Sequence, residues 1–245
     1  RVNDIEGIES IHITTNGTTT AGLVKDFKSV GISSVNLSLD TLDTDGFKAI
    51  THRDELSNVM QTYNQLLSEG IPTKINMVVM AGINEVDLEP MARLAQYDNV
   101  EVRFLEEMPF NGRGEVRKEA LLYTDIQSRL ATFIPGLISQ GYQPTKTTLD
   151  LEAPGWKGNL GIIPAFSRTF CGSCNRLRLT PQGEMKTCLY SSDNLNLRDV
   201  MREGASDLEL AAAIQLAVSK KAIDGHAAEQ SRGSIIGESM ATIGG

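Results

Sequence analysis

At 245 residues and 40% hydrophobic composition, the chain is long enough to bury a full core, as one large domain or as one domain with an appendage. Its net charge of −8 argues against broad nucleic-acid or membrane-surface binding, and no apolar run approaches a membrane span. With no signal-peptide pattern at its start and three cysteines read as reduced, a cytoplasmic protein is expected.

Four short runs read as strands: Ile11–Thr14, Val35–Asp40, Lys74–Met80 and Val100–Leu105. Between them, Gly22–Val30, Asp54–Glu69 and Val86–Tyr97 have helical periodicity, with Gly31 and Gly70 placed to end helices. Alternation of this kind predicts parallel strands joined by right-handed crossovers. Buried parallel strands are usually apolar on both faces. Here one parity is apolar (Val35, Leu37, Leu39; Ile75, Met77, Val79), whereas the other carries His12, Thr14, Asn36, Ser38, Lys74, Asn76, Glu101 and Arg103. Helices should cover the apolar face and leave the polar one to line a ligand site. That pattern favours a barrel-like sheet over a doubly wound one, with the site at the C-terminal strand ends. Those ends carry Thr14-Thr15-Asn16-Gly17, Ser38-Leu39-Asp40 and Glu106-Glu107-Met108-Pro109. Four strands cannot close a barrel, so the expected sheet is open or lacks strands.

Gly112-Arg113-Gly114-Glu115 is a loop candidate, and a helical stretch follows around Thr124–Ile134. The Pro/Gly-rich segment from Gln143 to Gly158 reads as a connection, which divides the chain into a partial barrel over 1–142 and a second module over 143–245.

All three cysteines fall in that module: Cys171-Gly172-Ser173-Cys174, thirteen residues, then Cys188. An odd number excludes a fully paired disulfide framework, and the gathering suggests a metal centre. Between the last two, Arg176–Thr180 and Glu184–Tyr190 alternate polar and apolar around Pro181-Gln182-Gly183, a hairpin pattern. Pairing about Gln182 sets Thr180 opposite Glu184, Arg178 opposite Lys186 and Arg176 opposite Cys188, so both arginines share a face with the third cysteine. From Ser167 to Lys186 the net charge is +3, which suits phosphate or carboxylate. By spacing alone, zinc, an iron–sulfur cluster with one open iron, and three idle buried thiols all stay open. Farther on, Ser206–Lys221 is an amphipathic helix whose stripe of Leu208, Ala212, Leu216 and Ala217 is expected in the core. The final Gly244-Gly245 is a frayed tail, or a strand thin enough to thread a narrow cavity.

The run Phe170 to Thr180, then Gly183 and Cys188-Leu189, closely resembles the auxiliary-cluster motif of the GTP 3′,8-cyclase family of radical-SAM enzymes, which open molybdenum cofactor biosynthesis. Thr14-Thr15-Asn16-Gly17, Asn36 to Asp40, Lys74-Ile75-Asn76, Glu101 to Phe104 and the closing Ile243-Gly244-Gly245 match in the same order, so the resemblance covers essentially the whole chain. It implies an α/β fold, an incomplete TIM-type radical-SAM barrel of parallel strands with a C-terminal iron–sulfur module. Cys171, Cys174 and Cys188 would hold an auxiliary 4Fe-4S cluster whose open iron binds the purine. Thr14, Lys74, Arg176, Leu177 and Arg178 would contact GTP, Ser38 and Met108 would contact S-adenosyl-L-methionine, and the Gly244-Gly245 tail would reach into the active site. The family's reaction makes a 5′-deoxyadenosyl radical from S-adenosylmethionine, takes the ribose 3′-hydrogen of GTP and joins C3′ to C8, drawing on an electron donor.

The family also uses a Cys-x3-Cys-x2-Cys triplet for a second 4Fe-4S cluster and a Gly-Gly-Glu-Pro stretch for S-adenosylmethionine; this sequence contains neither. The expectation is therefore a C-terminal part of such an enzyme, lacking two strands, which binds cluster and GTP but cannot start the radical. The uncovered Ile11–Thr14 edge would invite pairing into a homodimer. Rival readings are a zinc-stapled module gripping nucleotide or RNA phosphate, a peptide-modifying radical-SAM protein, and a conjugation tail of the ubiquitin-like sort, which the α/β pattern fits poorly.

Overall fold

The computed structural model describes residues 2–110, 119–141, 143, 146–232 and 239–240. In chain order its strands are β1 Ile11–Thr15, β2 Ile32–Ser38, β3 Thr73–Val79, β4 Glu101–Glu106, β5 Ile138–Ser139, β6 Leu149–Glu152, β7 Asn159–Ile163, β8 Arg178–Leu179, β9 Glu184–Lys186 and β10 Asn194–Asn196. The helices are α1 Val24–Phe27, α2 Thr44–Thr51, α3 Leu56–Ser68, α4 Leu88–Tyr97, α5 Tyr123–Phe133, α6 Leu197–Arg202, α7 Asp207–Ser219 and α8 Gly225–Arg232.

Two compact units result, one formed by residues 1–107 and 118–164, the other by 108–117 and 165–245. The first is built on a seven-stranded sheet in the order β1-β2-β3-β4-β7-β6-β5. β1 to β4 and β7 run parallel, while β6 and β5 add antiparallel at one edge. The sheet is therefore larger than the four strands expected, and the boundary falls after Pro164 instead of at 142/143. The cause is local: Leu149 and Leu151 alternate with polar residues in β6, Ala153-Pro154-Gly155 turns with Gly155 at φ +81°, and β7 returns beside β4. The segment expected as a connection holds the first strand and the turn of a hairpin of the sheet.

The alternation along the strands is borne out. Val35, Leu37, Ile75, Met77, Val79, Val102, Phe104 and Ile162 have no exposed surface. Helices cover this face with residues at i, i+3, i+4, i+7 spacing: Val59, Thr62, Tyr63 and Leu66 of α3, then Leu88, Met91, Ala92 and Ala95 of α4. Gly70, at φ +61°, ends α3, with the Ile71 N–H returning to the Leu66 carbonyl. α2, absent from the sequence reading, starts where the Asp43 side chain accepts the Gly46 N–H at 2.7 Å and ends at left-handed His52. α1 is a single turn, shorter than the Gly22–Val30 run suggested.

The second unit holds a three-stranded antiparallel sheet, β10-β9-β8, with α6, α7 and α8. α7 departs from expectation: Leu208 is 84% exposed and Leu216 57%. Its half-buried residues are Leu210, Ala213, Ile214 and Ala217, a helical face rotated from the expected stripe. Every side of this helix is apolar enough to serve, so periodicity does not select one. Among the described residues no helix is long and apolar enough to cross a membrane.

Candidate functional site

In the first unit, strand register sets the polar residues in rows. Thr14, Asn36, Lys74 and Glu101 are neighbours across four strands; Ser38, Asn76 and Arg103 form the next row toward the strand ends. Glu101 organises the first row: it lies 3.9 Å from Lys74 Nζ and accepts from Arg103 at 2.6 and 3.0 Å. Asn36 donates weakly to Thr14 Oγ1 at 3.4 Å. Thr14 and Ser38 are exposed on this face and Lys74 is half-buried, so the expected ligand-facing residues lie where a small molecule can reach them.

The strand ends are fastened from behind. Gly17 takes φ +77°, and a Cβ there would stand 2.7 Å from Leu37 Cδ1, so only glycine fits. Its carbonyl accepts the hydroxyl of fully buried Thr62 at 2.6 Å. Asn84, fully buried, donates to the carbonyls of Asp40 and Val78, each at 2.9 Å, and accepts the Met80 N–H at 2.8 Å. The Asp40 carboxylate accepts the Val78 N–H at 2.8 Å; burial raises its pKa, and that hydrogen bond only partly offsets the effect.

In the second unit the cysteines are free thiols, all half-buried. Cys171 opens a turn of 3-10 helix over Cys171–Ser173, and the Cys174 N–H closes it onto the Cys171 carbonyl at 3.2 Å. The hairpin has the expected register, Arg178 opposite Lys186 and the Thr180 N–H on the Glu184 carbonyl, with Gly183 at φ +83° in the turn. It thus carries the chain back to Cys188. Burial pushes the Cys171 thiol above its ordinary value; the nearby Gly225 backbone pulls it down, the Cys188 and Cys174 sulfurs push it up, and the Arg168 charge lowers it. The three sulfurs therefore act on one another. Among the described residues no three His, Cys, Asp or Glu side chains close on a single point as they would around one metal ion.

Arg178 is half-buried, and burial followed by the charge of Arg176 holds its guanidinium below the usual value. An anion between them would offset both effects. Leu177 between them is 47% exposed, and Arg176 stands 6.0 Å from the Phe170 ring centroid. The Lys221 ammonium fastens this turn, donating to the Cys174 and Arg176 carbonyls at 2.7 and 3.2 Å. Met108 belongs to this unit and not to the sheet, packing on the cluster of Phe110, Tyr190 and Ala228 together with Cys188. Gly244 and Gly245 lie outside the described residues.

Sequence reasoning missed Glu101 as organiser of the polar row, and Lys221, Arg168, Tyr190 and Gly225 around the cysteines. Arg168 carried a signal, since it contributes to the +3 segment, and so did Tyr190, which ends the alternating run two residues past Cys188; Lys221 and Gly225 lie too far along the chain for spacing to reveal them.

Comparison with known proteins divides the chain elsewhere, between residues 95 and 100. Residues 1–95 match the model of the radical SAM superfamily, and residues 100–227 match that of Molybdenum Cofactor Synthesis C. The chain is 39% identical over 225 residues to molybdenum cofactor biosynthesis protein 1 of Dictyostelium discoideum, a match covering 90% of this chain and 36% of that protein. It is 37% identical over 212 residues to the GTP 3′,8-cyclase of Corynebacterium glutamicum, covering 83% and 56%. With the GTP 3′,8-cyclase of Moorella thermoacetica it shares 33% identity over 223 residues, covering 91% and 69%. The chain thus spans from about a third to about two thirds of the length of these curated relatives.

Proposed function

We propose that this chain, which belongs to the molybdenum cofactor synthesis family of radical SAM proteins, is the GTP-holding part of a GTP 3′,8-cyclase, a lyase converting GTP to (8S)-3′,8-cyclo-7,8-dihydroguanosine 5′-triphosphate in molybdopterin biosynthesis. The observation that carries the reading is the hairpin register: Arg178 opposite Lys186 returns the chain to Cys188, so three thiols and an arginine pair belong to one unit. The donor set fits an iron–sulfur group, being three half-buried thiols and no other ligand type. Cys171, Cys174 and Cys188 would hold an auxiliary 4Fe-4S cluster, which with three protein ligands keeps one iron open to the purine.

Arg176 and Arg178 grip phosphate oxygens through their forks, with Leu177 exposed between them. Thr14 and Lys74 supply further GTP contacts from the polar row, with Glu101 3.9 Å from the Lys74 ammonium. Ser38 and Met108 are assigned to S-adenosylmethionine, and the Gly244-Gly245 tail to the active site. All three cysteines of the sequence are committed to the auxiliary site, so the initiating cluster has no thiolates among these residues. By itself the chain binds and orients GTP and does not turn it over. The reaction calls for an external electron donor and a compartment that keeps thiols reduced, such as the cytoplasm. β1, at the edge of the sheet, is the strand along which a second copy would pair.

Calorimetric titration of GTP into the anaerobically reconstituted chain tests this. Arg176→Ala and Arg178→Ala should each weaken binding by about tenfold or more, the scale of one lost charge-assisted hydrogen bond. Binding unchanged in both variants would refute the assignment.

A further inference from the structure

Arg168 is 6% exposed and takes a left-handed backbone conformation, φ +56°, which non-glycine residues rarely adopt. Such a conformation costs on the order of 1–3 kcal/mol and persists only where the surroundings over-determine it. Here they do. Its carbonyl accepts the Cys171 N–H at 3.1 Å. Its guanidinium lies 3.7 Å from the Tyr190 ring centroid, donates to the Gly225 carbonyl and to His226 Nδ1, both at 3.1 Å, and pairs with Glu229 at 2.7 Å. Three of these partners lie in the first five residues of α8.

Gly225 faces the cysteine as well. Its backbone packs against the Cys171 sulfur. A Cβ on Gly225 would stand 3.2 Å from that sulfur and 3.0 Å from Arg168 Cδ, so a side chain fits only if its neighbours move. Arg168 therefore holds Cys171 directly through its own carbonyl and indirectly by fixing the glycine that packs on the sulfur. This is a built arrangement around one thiol, and neither the hairpin nor the arginine pair accounts for it.

We infer that Arg168 is a positioning residue that clamps the start of α8 onto Cys171 and, through its own charge, raises the reduction potential of the cluster carried there. The inference rests on the cluster reading above. Net charge and hydrogen bonds to sulfur are among the determinants of such potentials, because the reduced state carries the extra negative charge that a donor or cation stabilises. Glu229 opposes the effect by partly neutralising the guanidinium, and at 41% side-chain exposure it can be changed without opening the core.

The test is spectroelectrochemical titration of the full chain after anaerobic reconstitution with iron and sulfide, alongside iron and sulfide content. Arg168→Gln should lower the potential and Glu229→Gln should raise it. The expected Arg168→Gln shift is about tenfold in the reduced-to-oxidised ratio, or about 59 mV for one electron. A purely structural role does not give shifts of opposite sign at unchanged iron content. If Arg168→Gln loses its iron, the Glu229→Gln potential decides, and an unmoved value overturns the inference. Absence of iron and sulfide from the unsubstituted chain would instead overturn the cluster reading, and the inference with it.

Discussion

Replacing Asn84 by alanine should be among the most damaging single changes in the first unit. Asn84 joins the ends of β2 and β3 through three hydrogen bonds of 2.8 to 2.9 Å, and none of its surface is exposed. Each bond contributes about 0.5–1.5 kcal/mol net, and a buried group left without its partner costs about 1–3 kcal/mol. Asn84→Ala strands the carbonyls of Asp40 and Val78 and the Met80 N–H together, which places the loss at about 3–4 kcal/mol. For a domain of this size that corresponds to a fall of roughly 6–16 °C in melting temperature. Urea unfolding followed by circular dichroism measures it. Asn84→Asp is the informative companion: it keeps an acceptor for Met80 but turns a carboxylate toward two carbonyls, so at neutral pH it should be no better. Because the latch fixes the strand ends just beyond Ser38, S-adenosylmethionine binding should weaken in both variants. A loss below about 1 kcal/mol in Asn84→Ala would mean that water reaches these groups, and would refute the latch.

Three further outcomes are expected. Burial raises the Asp40 pKa above 3.8, so its protonated form contributes stability that is complete below that value and lost as pH rises through the raised one; Asp40→Asn should therefore stabilise at neutral pH, with a gain that vanishes in acid, as paired unfolding titrations would reveal. Gly17→Ala forces an alanine to φ +77° with its Cβ 2.7 Å from Leu37, and should cost about 2 kcal/mol while weakening GTP binding through displaced Thr14; an undisturbed stability would argue against the close packing. Thr62→Val should leave the Gly17 carbonyl without its donor, at a cost of about 1–3 kcal/mol by urea unfolding, whereas a change near zero would mean that water replaces the hydroxyl.

Much of this was legible because it is local. Polar and apolar parity along β2, β3 and β4 needed only the two-residue period, and the β8–β9 register needed only the turn at Gly183. The parts that were not legible lacked a local signal. β6 hid in a Pro/Gly-rich segment and β7 just after it, because a turn between antiparallel strands has the same composition as a connection. α2 offered Phe47 as its one buried residue, too little for a periodic pattern, and depended on the Asp43 cap. α7 is apolar on every side, so its buried face was set by its neighbours. Arg168 and Gly225 are 57 residues apart and meet only through tertiary packing. Site residues named from resemblance kept their strand-face placement, with Thr14, Lys74 and Ser38 on the polar face, whereas Met108 packs beside Tyr190 and Cys188 instead of continuing β4.

The central claim is that Cys171, Cys174 and Cys188 carry an iron–sulfur cluster, and metal analysis tests it most directly. After strictly anaerobic purification and reconstitution, iron, zinc and acid-labile sulfide are counted per chain in the unsubstituted protein and in Cys188→Ala. The account predicts about four irons with matching sulfide, lost in the variant. About one zinc with no sulfide would contradict it and leave the cysteines as a structural staple.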